Sequence, residues 1–224
     1  MKITLNKNQK VWFTSDLHLD HSNIIKYSNR QFLSEEDRRE FESLNQNWNR
    51  SKYRISKKST DMMNDHFIDN INKVVDKNDI LFHLGDFTFA PKHSYYDTAL
   101  YFRNKINCKT VYNIWGNHDH EEIKHLFNNC WDLKEIYIEN QSYVLCHYCM
   151  LIWNKSHHGA IHLYGHSHST LEDFAEKVMP GRKSIDVGAD NAYKVLGEYR
   201  PFSHIEIKEM MDKKKGHSTG DHHS

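Results

Sequence analysis

Gly116-Asn117-His118-Asp119 follows the apolar run 110–115 and sets a neutral amide, an imidazole and a carboxylate side by side where a strand pattern stops. Gly-Asn is also ordinary turn punctuation, and His or Asp is at ease in a turn. The stretch carries chemistry only if other parts of the chain send matching groups to the same place. Reading outward from it therefore decides the fold.

Four further apolar runs end in the same manner. Val11–Thr14 leads into Ser15-Asp16-Leu17-His18, residues 80–84 into Gly85-Asp86, 142–146 into His147, and 160–164 into Gly165-His166-Ser167-His168. In open α/β sheets, ligands gather outside the carboxyl ends of the strands, so five such tips point to one shared crevice. Asp16 and His18, like His166 and His168, stand two apart, which in an extended segment turns both side chains to the same side. Mixed imidazole and carboxylate donors suit Mn, Fe, Zn, Ni or Co, whereas Mg and Ca prefer all-oxygen shells.

Between these runs, Met63, Phe67, Ile71 and Val74 recur at helical spacing behind Ser59 and Thr60 as caps. Residues 95–102 and 121–127 also read as helices, and 135–138, 184–187 and 202–207 as strands. Residues 34–58 are charged and poor in aliphatics, which fits a solvated helix and loop or a substrate-covering lid. One domain over 1–212 is expected, with 213–224 a disordered polar tail whose histidines are left out of the site.

Bulk composition narrows the partners. Thirty Lys plus Arg balance thirty Asp plus Glu, so no global basic field draws the chain to DNA or a membrane surface, although a local groove for polymeric nucleic acid stays open. No apolar run approaches the roughly 20 residues that span a bilayer, and Met1 leads almost directly into a strand pattern, so a cytoplasmic location is expected. The four cysteines are read as reduced, because the Cys146/Cys149 pair lacks the second pair of a structural zinc site.

The ordered set Asp16-Leu17-His18, Gly85-Asp86, Gly116-Asn117-His118-Asp119, His147 and Gly165-His166-Ser167-His168 resembles the calcineurin-like metallophosphoesterase superfamily. Asn23-Ile24-Ile25 through Asn29-Arg30, and Asp186-Val187-Gly188, are similar to its small bacterial and phage-encoded branch. The resemblance runs over about residues 11–207. It implies an α/β fold, a four-layer α/β/β/α sandwich with two metal ions at one edge. Asp16, His18 and His168 would hold the first ion, Asn117, His147 and His166 the second, and Asp86 would bridge them. His118 would not bind metal but would face the substrate as proton donor or charge stabiliser. The Ser/Thr protein phosphatase branch has a second Asp and an Arg after the second motif; here Phe89 and Ala90 stand there, so that activity is not expected.

The resemblance implies hydrolysis of small phosphoesters, monoester or diester, with nucleotides or cyclic nucleotides one candidate class, by in-line attack of a metal-bridging hydroxide. Manganese is the leading cofactor, with Fe, Zn, Ni or Co open. Two divalent ions offset by Asp16, Asp86 and a hydroxide retain about one positive charge, which attracts phosphate and which an Asp in place of Asn117 would cancel. His21 and Arg30, just past the first motif, are candidate substrate contacts beside Asn117 and His118, an Arg being suited to clamp phosphate. A nuclease and a non-catalytic protein-binding scaffold are the alternatives.

Overall fold

A parallel strand buried on both faces needs apolar residues at every position, and the short continuous runs of this chain meet that need. The computed structural model describes residues 1–44 and 52–216. One sheet is ordered β1 (Lys2–Ile3), β6 (Leu133–Ile138), β7 (Gln141–Cys146), β8 (Ile161–Tyr164), β9 (Ser184–Asp186). The other is ordered β10 (Phe202–Ser203), β2 (Val11–Thr14), β3 (Ile80–His83), β4 (Thr110–Ile114), β5 (Asn129–Trp131). Pairing is parallel except at β6/β7 and β10/β2, so β2, β3 and β4 end together, as do β7 and β8.

The inner faces of the two sheets meet. Val11 and Phe13, Phe82, and Ile114 from one sheet pack on Ile136, Tyr143, Leu145, Ile161 and Leu163 from the other. Phe13 joins them directly, stacked on Phe82 within its own sheet and on Tyr143 across the gap. The intervening residues Trp12, Leu81 and Val111 point the other way, into a layer built by α3 (Lys57–Val74) and α4 (Tyr95–Lys105). Helix α3 presents Met63, Phe67 and Ile71 at four-residue spacing, the stripe that faces a core. On the outer face of the other sheet, Val144, Trp153 and Ala160 cluster, and α5 (Glu172–Val178) reaches the Tyr164 hydroxyl through Glu172. The layers thus run helix, sheet, sheet, helix, with the last the thinnest.

Local chemistry departs from the sequence reading in several places. Helix α3 is capped by Ser56, whose side chain accepts from Ser59 N, so Ser59 and Thr60 lie inside the first turn. The strand expected over 202–207 stops at Ser203, which caps α7 (His204–Asp212) in a reciprocal pair with Glu206. Residues Glu121–Leu126 form a 3-10 helix. In the charged segment, α2 (Glu35–Ser43) buries Asp37, whose carboxylate accepts from Ser56 N and from the hydroxyls of Ser56, Ser59 and Tyr53. Residues 45–51, within the lid reading, and 217–224, within the expected tail, lie outside the described residues. The start of that tail is docked: Lys214 pairs with Glu176 and Gly216 N donates to the Gly181 carbonyl. Among the described residues, no helix is long and apolar enough to cross a membrane.

His162, on the outer face of β8, gives the fold a pH dependence. It is fully buried, with Nδ1 against the Val144 carbonyl at 3.0 Å and Nε2 accepting from Met150 N at 3.0 Å. Burial pushes its pKa down from 6.5 to about 4. The folded ring is therefore neutral, and unfolding takes up a proton between those values. Its contribution to stability is full above pH 6.5 and falls by about 1.4 kcal/mol per pH unit as acid is added. In urea unfolding across that window, His162→Gln should flatten the pH slope by about one proton's worth; an unchanged slope counts against the assignment.

Candidate metal centre

The ends of β2 and β3 run alongside each other: Asp16 N donates to the Gly85 carbonyl, His18 N to Asp86 and Leu19 N to Phe87. Asp16, His18, Asp86, His166 and His168 all have positive φ, between 46° and 65°. Non-glycine residues adopt this left-handed conformation at a cost of about 1–2 kcal/mol each, and it persists where surrounding bonds over-determine it. Asp16 and His18 therefore converge by turning, not by the extended alternation that their spacing suggests, whereas His166 and His168 separate, one into each of two donor groups.

The first group is Asp16, His18 and His168, and the second Asp86, His147 and His166, each with one donor atom per residue all within 4.8 Å. Asp86 stands between them: its Oδ2 lies 3.5 Å from His18 Nε2 and 3.6 Å from His147 Nε2. His147 Nδ1 sits 2.7 Å from the Leu84 carbonyl, which fixes the tautomer that leaves Nε2 as an acceptor. Asn117 Oδ1 approaches that same Nε2 at 3.1 Å. A cation shared between the two acceptors would satisfy both.

The donor set fits divalent cations. Asp16 Oδ1 and both ring nitrogens of His18 are buried with no hydrogen-bond partner. Burial, above all, lifts the Asp16 carboxyl to about 7, with Asp186 and Asp86 adding to it against His147 and His168. Burial likewise raises Asp86 and drives His18 well below its usual range. Orphaned lone pairs and destabilised carboxylates are what a cation would compensate, and the mixed oxygen and nitrogen donors suit transition metals over Mg or Ca.

His118 belongs to neither group. Its backbone N donates to Asp86 Oδ1 at 2.8 Å, the Tyr95 hydroxyl donates to its carbonyl at 3.0 Å, and its ring lies 5.4 Å from that of His18 and 5.1 Å, edge-on, from Phe89. Asp119 braces the loops, accepting from the backbone N of Asp86, Phe87 and Gly116 and from Asn113 Nδ2. Glycine is required where these loops touch. A Cβ on Gly116 would fall 2.2 Å from Asp86 Oδ1, and one on Gly165 2.1 Å from Ser15 Oγ.

Outside the ligands, a cleft of about 930 Å³ opens past His18, His118, His166 and His168, with His21, Tyr27, Phe89 and Leu171 along its wall. His21 stacks on Phe89 at 4.0 Å between centroids, and burial first, then His118, lower its pKa to about 4. Arg30 is not in the cleft. Its side chain is fully buried and its donors are taken up inside the protein by Asp190, by the Asp16 and Leu17 carbonyls and by Met63 Sδ, leaving none for a substrate phosphate. Asp190, on α6 (Ala189–Leu196), also meets His168 Nδ1 at 2.6 Å. Burial would raise Asp190, but Arg30 and then the His168 bond hold it at about 2. Sequence reasoning passed over Asp190, because an acid in the first turn of a helix ordinarily serves that helix alone.

Residues 9–196 match the model of the calcineurin-like phosphoesterase family. An uncharacterized protein of Methanocaldococcus jannaschii is 28% identical over 209 residues, which span 92% of this chain and 94% of that protein. The crystal structure of a protein of unknown function from Aquifex aeolicus is similar in fold, with a TM-score of 0.61 and 21% identity over 91% of this chain and 100% of that chain. With most of its length matched, and with the paired donor groups at the strand ends, this chain belongs to the calcineurin-like phosphoesterase family, whose chemistry is metal-dependent hydrolysis of phosphoric esters.

Proposed function

We propose that the chain hydrolyses small phosphoesters, nucleotide and cyclic-nucleotide diesters among them, with two divalent transition-metal cations, manganese being the first to test and Fe, Zn, Ni or Co equally compatible with the donors. The observation that carries the two-cation reading is the Asp86 carboxylate between two separate donor groups. When bound, such a cation pair acidifies water for in-line attack and neutralises phosphoryl oxygens. Asp16, His18 and His168 would hold one cation, and His147, His166 and Asn117 the other.

The remaining work falls to His118. As the bond from phosphorus to the leaving oxygen breaks, that oxygen needs a proton, and the His118 imidazole, which lines the cleft and belongs to neither donor group, supplies it. Tyr95 and Asp86 hold the His118 backbone at the cleft.

The cleft wall supports a planar leaving group. Phe89, 40% exposed, stacks with His21 and presents an apolar face beside His118. It occupies the place where the protein phosphatase branch carries an acid. Stacking on an aromatic side chain contributes about 1–3 kcal/mol per base. Phe89→Ala should therefore raise KM for cyclic nucleotides about tenfold, with little change for glycerol phosphodiesters; equal effects on both would sink the stacking role.

The reaction class is tested by a manganese-supplemented screen of para-nitrophenyl phosphate, its bis ester, 2′,3′- and 3′,5′-cyclic nucleotides, and single-stranded DNA. Preferred turnover of the bis ester and a cyclic nucleotide is the expected result. Cleavage of DNA alone would make the chain a nuclease, and no turnover with both cations bound would make it a binding scaffold.

A further inference from the structure

We infer that Arg30 and Asp190 are a positioning pair for the Asp16–His18–His168 cation position, making it the tighter of the two and leaving Asp86–His147–His166 the more exchangeable. The inference rests on the two-cation reading above.

An arginine has five N–H donors, and all those of Arg30 are engaged. Nε and Nη2 grip the Asp190 carboxylate at 2.8 and 3.0 Å. Nη2 also donates to the Asp16 carbonyl at 2.6 Å, and Nη1 to the Leu17 carbonyl at 2.9 Å and to Met63 Sδ at 3.4 Å. The two carbonyls flank the turn at which both Asp16 and His18 are left-handed. A guanidinium is a rigid planar fork, so fastening both carbonyls fixes the backbone that aims both side chains. Underneath, it rests on the Phe67 ring, 5.1 Å from the centroid.

Asp190 carries the brace to the third ligand. The same Oδ2 that meets Arg30 meets His168 Nδ1 at 2.6 Å, which turns His168 Nε2 toward Asp16 Oδ1, 3.9 Å away. One ion pair thereby touches Asp16 and His168 directly and holds the Leu17 carbonyl that precedes His18, although its members stand 160 residues apart. Because Asp190 neutralises Arg30, the brace adds no net positive charge to repel a cation.

At the other position Asp119 braces the backbone at Asp86 and Gly116, but no such bond reaches the His166 side chain among the described residues. The Leu84 carbonyl holds His147, but the His166 ring is exposed and, among the described residues, makes ring contacts with His147 and Tyr148 and no hydrogen bond. A side chain that must be ordered on binding loses rotamer freedom that a braced one has already lost. The two positions are therefore expected to fill in order.

The test is a manganese titration of the full chain by calorimetry, with electron paramagnetic resonance to count isolated and paired ions. Wild type should show a tight step and then a weaker one. Asp190→Asn, which keeps the shape and removes the charge, should weaken the tight step by about 10- to 100-fold and leave the second within about twofold, so that the steps merge. A general structural role would weaken both alike, and that result overturns the inference. Should Asp190→Asn fail to fold, Arg30→Lys, which keeps the Asp190–His168 bond but loosens the two carbonyls, should weaken the same step by a smaller factor. Unchanged binding in both variants overturns the pair alone. Failure of wild type to take up two ions overturns the two-cation reading and this inference with it.

Discussion

His118→Ala is expected to keep two divalent ions per chain and to lose about 10²- to 10⁴-fold in kcat, the usual share of a general acid. The ring belongs to neither donor group, and the bond that His118 makes to Asp86 comes from its backbone N, which alanine retains. Metal binding and proton delivery thus separate at one residue. Esters with a good leaving group, such as nitrophenolate, need less help from an acid, so the loss should be smaller for them than for a nucleoside alkoxide. Parallel kinetics and metal analysis decide it. Loss of an ion, or equal slowing of both ester types, would remove His118 from the acid role.

Asp86→Ala should act in the opposite sense. Asp86 Oδ2 is the one oxygen facing both His18 and His147, so its removal strikes both positions at once. Occupancy should fall below one ion per chain, and turnover should fall on the order of 10⁴-fold or more, beyond the His118 effect. Stability offers a second measure. At a free ion concentration of 100 Kd, binding stabilises the wild type by about 2.7 kcal/mol relative to chelated protein. That gap should shrink in Asp86→Ala in step with the occupancy lost, because the stabilisation comes from the bound cation. Two ions bound with normal affinity would show that Asp86 is not the shared ligand.

What the sequence revealed follows from which forces act locally. The apolar runs were legible because parallel strands between two layers are buried on both faces, and each run stops where the chain turns into a polar loop. The donors were legible because they sit within four residues of those ends. Their geometry was not: Asp16 and His18 converge through left-handed turns, which alternation along a strand does not describe. Arg30 was misplaced for a related reason. A guanidinium next to a phosphate-handling motif suggests a clamp, and only the fold reveals the partner on α6 that turns it inward. At the other end of the chain, Phe202, Ile205 and Ile207 read as a strand, yet Ser203 and Glu206 held the local signal of a helix start, and Ile207 with Met211 forms its buried stripe.

The contacts at Gly116 and Gly165 bear on how such an enzyme diverges. With no room for a Cβ between the Gly116 backbone and Asp86, or between Gly165 and Ser15, any substitution of either glycine forces the ligand-bearing loops apart. Change is thereby channelled to the cleft wall, where the Tyr27 and Phe89 side chains line the opening without belonging to either donor group. Descendants are expected to differ in what they cleave long before they differ in how they cleave it.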